Sequence, residues 1–272
     1  MNKIIRAGLI LNFLLSFFFA DSQTIDSAFT TVKYSFVFRP DSTKENYTKE
    51  DILILDIGHK YTKYFSHNRL IRDSIMARQI ELPSISNGGS YIADMRNTPS
   101  AGSTKILYRN LQSNTVTVTD NLIFDNYLYV DSLLDLKWKI LKDTLTINGY
   151  LCTKAYTHFR GRSFYAWFAN SISLPVGPHL FGGLPGLIFQ LEESKGNFRY
   201  KLLTFEKQVL KKPIIFYSKN HIRTNRLEYR KILQSMLDNP NGYAASHGMI
   251  FKEKDGTIEK TPKIPYNPLE MY

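Results

Sequence analysis

The chain is short of cysteine. Cys152 stands alone in 272 residues, which excludes an intramolecular disulfide. A chain of this length needs no such staple, because it can bury a sizeable core. The short patterns that announce common chemistries are also missing. There is no Gly-x-Ser-x-Gly elbow, no His-Glu-x-x-His, no Cys-x-x-Cys pair and no phosphate-cradling glycine loop. The six histidines, His59, His67, His158, His179, His221 and His247, show no metal-ligand spacing. The sequence therefore predicts no metal and no cofactor. Internal repeats and low-complexity tracts are absent as well.

A long apolar run occurs only at the start. Lys3 and Arg6 precede a greasy stretch from Ala7 to Phe19, broken by Asn12 and Ser16, and Ala20-Asp21-Ser22 places small residues at −3 and −1 of a cleavage point. That order describes a secretory signal peptide over residues 1–22. The run is shorter than the roughly 20 apolar residues that span a bilayer. No later stretch of the mature chain qualifies as a transmembrane segment, so an exported, soluble protein is expected. With no cysteine beside the cleavage point, a lipid-anchored start is not expected.

Negative charge is scarce in one place. The net charge is +11, and residues 195–231 hold eleven Lys and Arg against Glu206 and Glu228 alone. Such a segment attracts acidic partners, and for an exported protein these are anionic lipid or lipopolysaccharide phosphates rather than nucleic acid. The plainer reading is charge that keeps a basic chain in solution.

What is abundant is β-type alternation. "VKYSFVF" (32–38), "DILILDIG" (51–58) and "KYTKYFSH" (60–67) are close-spaced strand runs, followed by "TKILYRN", "TVTVTD", "LIFDNYLYVD", "KWKIL" and "DTLTING". Asn148-Gly149 and Arg160-Gly161-Arg162 are hairpin turns. "YLCTKAYTHF", "SFYAWFA", Leu187–Leu191 and "FRYKLLTFEKQ" continue the pattern. A short helix is predicted over Leu70–Leu82, ended by Pro83, with "SISNGGS" as loop. A clearer one carries Tyr229, Ile232, Leu233, Met236 and Leu237 at i, i+3, i+4, i+7, i+8, capped by Asn225 and stopped at Asn239-Pro240. The expected fold is mainly β: a curved antiparallel sheet or open barrel with one or two helices packed on or in it. It forms a single domain over 23–255, with 256–272 as an extended tail.

"GPHLFGGLPGLIFQLEE" (177–193) concentrates backbone freedom and stiffness. Gly183, Leu184, Pro185, Gly186, Leu187 and Ile188 read as a rigid corner that feeds a strand, with apolar side chains plugging the core. The functional alternative is glycines making room for a ligand. Arg160 and Arg162 flank a hairpin tip ahead of Tyr165 and Trp167. Those four form either an anion clamp with aromatic stacking, or a solvated turn beside two core aromatics. Cys152 reads as a small buried hydrophobe. His158 shares its strand face but lies about 20 Å away at strand rise. Only His179, in the loop, could reach the thiol.

On the residues "GLPGLI", "GPHLFG" and "INGYLCTKAYTHFRGRSFYAWFA", the chain resembles the GLPGLI family of exported Bacteroidota proteins, most specifically over residues 138–192. The resemblance implies a periplasmic or outer-membrane location and no assigned activity. "LP…strand…SKG…strand" also resembles the late hairpin of lipoprotein carriers, whose curved sheets hold acyl chains. The leading expectation is thus a non-enzymatic binding or carrier protein for an apolar or amphiphilic ligand or an outer-membrane partner, with Arg160, Arg162, Tyr165, Trp167 and His179 as binding residues. The alternatives are a hydrolase with an unrecognised site, using His179 or Cys152, and a structural adaptor to an outer-membrane transporter.

Overall fold

The computed structural model of the protein describes residues 22–81, 98–100, 102–133, 135–218, 220–250, 257 and 261–272. Residues 1–21 of the predicted leader and the loop at 84–90 lie outside these residues. Among the described residues twelve strands form one sheet. They are β1 (Ser22–Phe38), β2 (Lys49–Ile57), β3 (Tyr61–Ser66), β4 (Ile106–Asn110), β5 (Thr115–Leu122), β6 (Asp125–Ser132), β7 (Lys139–Ile147), β8 (Tyr150–Phe159), β9 (Arg162–Ala169), β10 (Leu187–Glu193), β11 (Phe198–Tyr217) and β12 (His221–Arg223). Helix α1 (His67–Glu81) follows β3, and α2 (Arg226–Asp238) and α3 (Pro240–Ser246) come after β12.

The strand order is β12-β6-β5-β4-β3-β2-β1-β11-β10-β9-β8-β7. The sheet is open and curved, with β12 and β7 at its edges. Every pairing is antiparallel except that of β12 with β6. The reason is visible in the turns. Asn148 and Gly149 both take positive φ between β7 and β8, as do Arg160 and Gly161 between β8 and β9, so short hairpins stack neighbours in sequence. The run "LIFDNYLYVD" divides between β5 and β6 because Ile123 turns with positive φ.

Alternation decides which residues face inward. Val32 and Tyr34 on β1, Leu53, Leu55 and Ile57 on β2, Tyr64 on β3 and Phe164, Ala166 and Phe168 on β9 all enter the main core. Helix α2 covers part of this inner face, with Tyr229, Met236 and Leu237 buried. Asn225 caps it, accepting from the Glu228 amide at 3.0 Å. Asn239-Pro240 ends α2 and also begins α3, where Pro240 sits in the first turn and Asn239 accepts from the Gly242 amide.

The 170–186 loop folds back onto the sheet. Val176 bridges to Gly182, the Gly183 amide reaches the Pro175 carbonyl at 3.0 Å, and Trp138 donates its indole N–H to the Gly182 carbonyl at 2.8 Å. Phe181 lies among Phe164, Phe159 and Trp138, and Leu184, Leu187 and Ile188 are buried. A Cβ on Gly186 would overlap the Ala169 carbonyl. Gly186→Ala is therefore expected to cost about 3 kcal/mol in denaturant unfolding, as backbone cannot yield like a side chain. Gly149→Ala, at positive φ in open space, should cost only about 1 kcal/mol in the same measurement.

His247 latches α3 to the β5–β6 turn. Its Nε2 lies 2.8 Å from Asp125 and its Nδ1 2.8 Å from the Tyr243 carbonyl, so both nitrogens face acceptors, and Phe124 stacks on the ring. The Tyr243 carbonyl and Asp125 together hold its pKa above the ordinary value. A raised folded pKa contributes stability in full below about pH 6.5 and loses it as pH rises through the folded value. Amide exchange in α3 should accelerate beyond its intrinsic pH trend on that rise, and His247→Gln should flatten the excess.

Candidate functional site

The inner face holds a cleft of about 600 Å³. One wall is aromatic: Phe36 of β1 stacks on Phe38 of the same strand and on Phe198 and Tyr200 of β11, at interplanar angles of 9–12°. Alternation on two neighbouring strands places these rings side by side, since Phe36 pairs with Tyr200 and Phe38 with Phe198. Asp51 of β2, Tyr64 of β3 and the loop residue His179 supply polar groups, and Tyr266, Asn267 and Leu269 close one side.

Asp51 is buried and accepts from the Ser66 hydroxyl at 2.8 Å and the amides of Ile52 and Ser103 at 2.8 and 3.0 Å. Burial outweighs these donors and raises its pKa. Gly102 makes the Ser103 contact feasible, because a Cβ there would strike Ser66 and Asp51. His179 has positive φ and a buried Nδ1 with no hydrogen-bond partner, and burial pushes its pKa down to about 4. It is neutral at physiological pH. The Tyr64 hydroxyl, also buried, lies beside the Tyr200 hydroxyl and the His179 backbone but makes no hydrogen bond of good geometry with either. Two orphaned polar atoms in the lining of a cleft are positions where a bound molecule or water completes the bonding.

The predicted binding residues separate. Arg160 is 4% exposed and binds Asp131 at 2.7 Å and Glu270. Arg226 joins both carboxylates, at 3.1 and 3.5 Å. Arg162 reaches Asn267 at 2.6 Å, the Pro268 carbonyl at 2.9 Å and Glu193 at 3.5 Å. Both hairpin arginines are thus buried braces for the 267–270 segment. Neither is a solvated turn residue nor a free clamp. Tyr165 and Trp167 point to the opposite face, with Lys154 lying over both rings at 5.1 and 5.5 Å. Of the predicted five, only His179 lines the cleft.

Cys152 is fully buried, and its desolvated thiol is pushed up to about 11, unsuited to nucleophilic attack near neutrality. Among the described residues no cluster of His, Cys, Asp and Glu is placed to hold a metal ion, and no helix is long and apolar enough to cross a membrane. Sequence reading missed Asp51, Tyr64 and the Phe36–Phe38 wall. A signal existed for the first: Asp51 shares the alternating face of Leu53, Leu55 and Ile57, an isolated carboxylate on a buried stripe.

The geometry defines a mainly β protein with an aromatic, acid-bearing cleft on an open sheet. Residues 108–231 match the family model described as N-glycanase peptide, N-terminal domain. Two solved structures of PNGF-II, in P21 and C2 space groups, are similar at 16% identity, with TM-scores of 0.47 and 0.49. They cover 76% and 75% of this chain. The chain spans about a third of the length of each, 33% and 32%. No curated protein matches. The resemblance to the GLPGLI family is corrected by this finding: the matching family is the N-glycanase domain, and no match to the GLPGLI family accompanies it. The hexapeptide lies inside the matched range, where its glycines answer to a tight packed corner. A local backbone requirement of that kind is weak ground for naming a family.

Burial alone would raise the Glu270 carboxyl, but the Arg160 and Lys105 cations and the hydrogen bond from Arg160 outweigh it and hold the pKa below the ordinary value. Its contribution to stability is therefore present above about pH 4.3 and lost as pH falls through the folded pKa. Arg160→Ala leaves Asp131 and Glu270 short of a buried partner and should cost about 3 kcal/mol. Protease cleavage within 261–272 should accelerate in that variant at neutral pH, and in the unmodified chain only in acid.

Proposed function

We propose that this chain acts on glycans, with the inner cleft as the place where a saccharide binds and is hydrolysed. The observation that carries the reading is Asp51: a buried carboxyl of raised pKa, at the edge of an aromatic wall, in a cleft with unsatisfied Tyr64 and His179 groups. Aromatic faces receive the apolar face of a pyranose, while hydroxyls reach Asp51, Nδ1 of His179 and the Tyr64 hydroxyl. A carboxyl kept protonated to higher pH gives the cleft a proton donor, and the neutral His179 gives it an acceptor. Similarity over 108–231 to a domain named for N-glycanase supports glycans as the substrate class. It also favours a hydrolase over a non-enzymatic carrier. Cys152 has no part in this reading.

An amphiphile is the second reading, favoured by the Phe36–Phe38–Phe198 wall. Export through the residue 1–22 leader belongs to either proposal and is checked by N-terminal sequencing of the mature protein. To separate the readings, the mature chain is incubated with N-glycosylated peptides and products are followed by mass spectrometry, with fatty-acid binding measured in parallel. Glycan release is expected, falling by at least about 100-fold in Asp51→Asn at unchanged folding. Binding without release removes hydrolysis and keeps recognition. Fatty-acid binding with no glycopeptide binding overturns the glycan reading.

A further inference from the structure

The outer face carries a second constellation that the cleft does not use. Register places Lys154, Trp167, Gln190 and Lys201 in one row across β8, β9, β10 and β11, and Tyr156, Tyr165, Glu192 and Arg199 in the next. These rows point away from the core, because the alternate residues Phe164, Ala166, Phe168 and Leu191 are buried beneath them. Tyr165 is 38% exposed and Trp167 half-buried. Between the rows lies a groove of about 500 Å³.

The chemistry of the groove selects a ligand. Trp167 and Tyr165 present ring area, and the Lys154 ammonium lies over both. Arg199 is held by Glu192 at 2.9–3.0 Å, which leaves Lys154 and Lys201 as the cations whose charge no neighbouring carboxylate offsets in this groove. Gln190 and Glu192 add acceptors for hydroxyl groups. A fatty chain finds no apolar depth among so many polar groups. A single-stranded deoxyribose-phosphate backbone lacks the ring hydroxyls that these acceptors would meet.

We infer that this outer groove binds an acidic saccharide, its pyranose face on Trp167 and Tyr165 and its sulfate or carboxylate groups on Lys154 and Lys201 at the two ends of the row. The site is separate from the inner cleft, because successive residues of a strand address opposite faces of the sheet. It would let the chain hold a charged glycan outside while the cleft addresses another portion.

The test is calorimetric titration of the mature chain with a heparin tetrasaccharide, a desulfated tetrasaccharide and a single-stranded oligonucleotide of matched charge. The sulfated sugar should bind best and weaken as salt rises. Trp167→Ala and Lys154→Gln should each reduce its affinity by about tenfold, the second keeping the proposal testable if the first fails to fold. Asp51→Asn should leave it unchanged. Affinity unchanged from the unmodified chain in both groove variants, tighter binding of the oligonucleotide, or no sugar binding overturns the inference.

Discussion

Everything in this molecule hangs on the pairing of β1 with β11. Two runs of sequence-neighbouring strands, β2 to β6 on one side and β7 to β10 on the other, are joined in the sheet only through these two long strands. Their register runs from Ser22↔Tyr217 to Phe38↔Phe198, with irregularities that let the long pair bend. The joint is non-local, so its loop-closure cost is met late, after hairpins have formed on either side. Its interior end is also fixed chemically. Tyr34 donates to the Ile188 carbonyl at 2.7 Å, tying the joint to the start of β10 just beyond the Gly-Pro corner.

That joint makes the cleft, and the arginines shape its side. The aromatic wall consists of the last residues of β1 and the first of β11, so a slip of one residue would turn Phe36 and Phe38 outward. Opposite the wall, the 266–269 segment has no sheet partner of its own. It is positioned by the Arg162 side chain through Asn267 and Pro268, by the Arg160 side chain through Glu270 and its carbonyl through the Met271 amide, and by Asn267 through the Arg39 carbonyl. The hairpin tip at 160–162 thus acts at a distance on cleft geometry without touching what lies inside.

Much of the fold was legible in the sequence, and the site was not. Strand runs, hairpin turns, the α2 cap and the two-faced character of β9 follow from local chemistry: β-branched and aromatic alternation, residues that tolerate positive φ, and helical spacing. The mainly β open sheet therefore emerges from the residues alone. The cleft needs residues 36, 51, 64, 179 and 200 to meet, and nothing local in the sequence records which strands become neighbours. The arginines were misjudged for the same reason. A hairpin tip reads as solvated until the chain that returns to cover it, more than a hundred residues later, is known.

The basic segment illustrates how composition and structure part company. Counted along the chain, 195–231 is a concentrated positive field. In space it is divided: Lys212 sits against Asp56 at 2.8 Å, Arg226 against Asp131 and Glu270, Arg199 against Glu192, and Lys231 against Glu228. Each of these cations spends its field on a partner a few ångströms away, and opposite charges that close present little potential beyond a Debye length. What reaches an approaching ligand depends on cations that lack such partners and on the surface beneath them. On the outer face of β8–β11, where Lys154 and Lys201 flank two aromatic rings, residual charge and ring area coincide, and it is that coincidence, more than the net charge, that gives the groove a chemical preference.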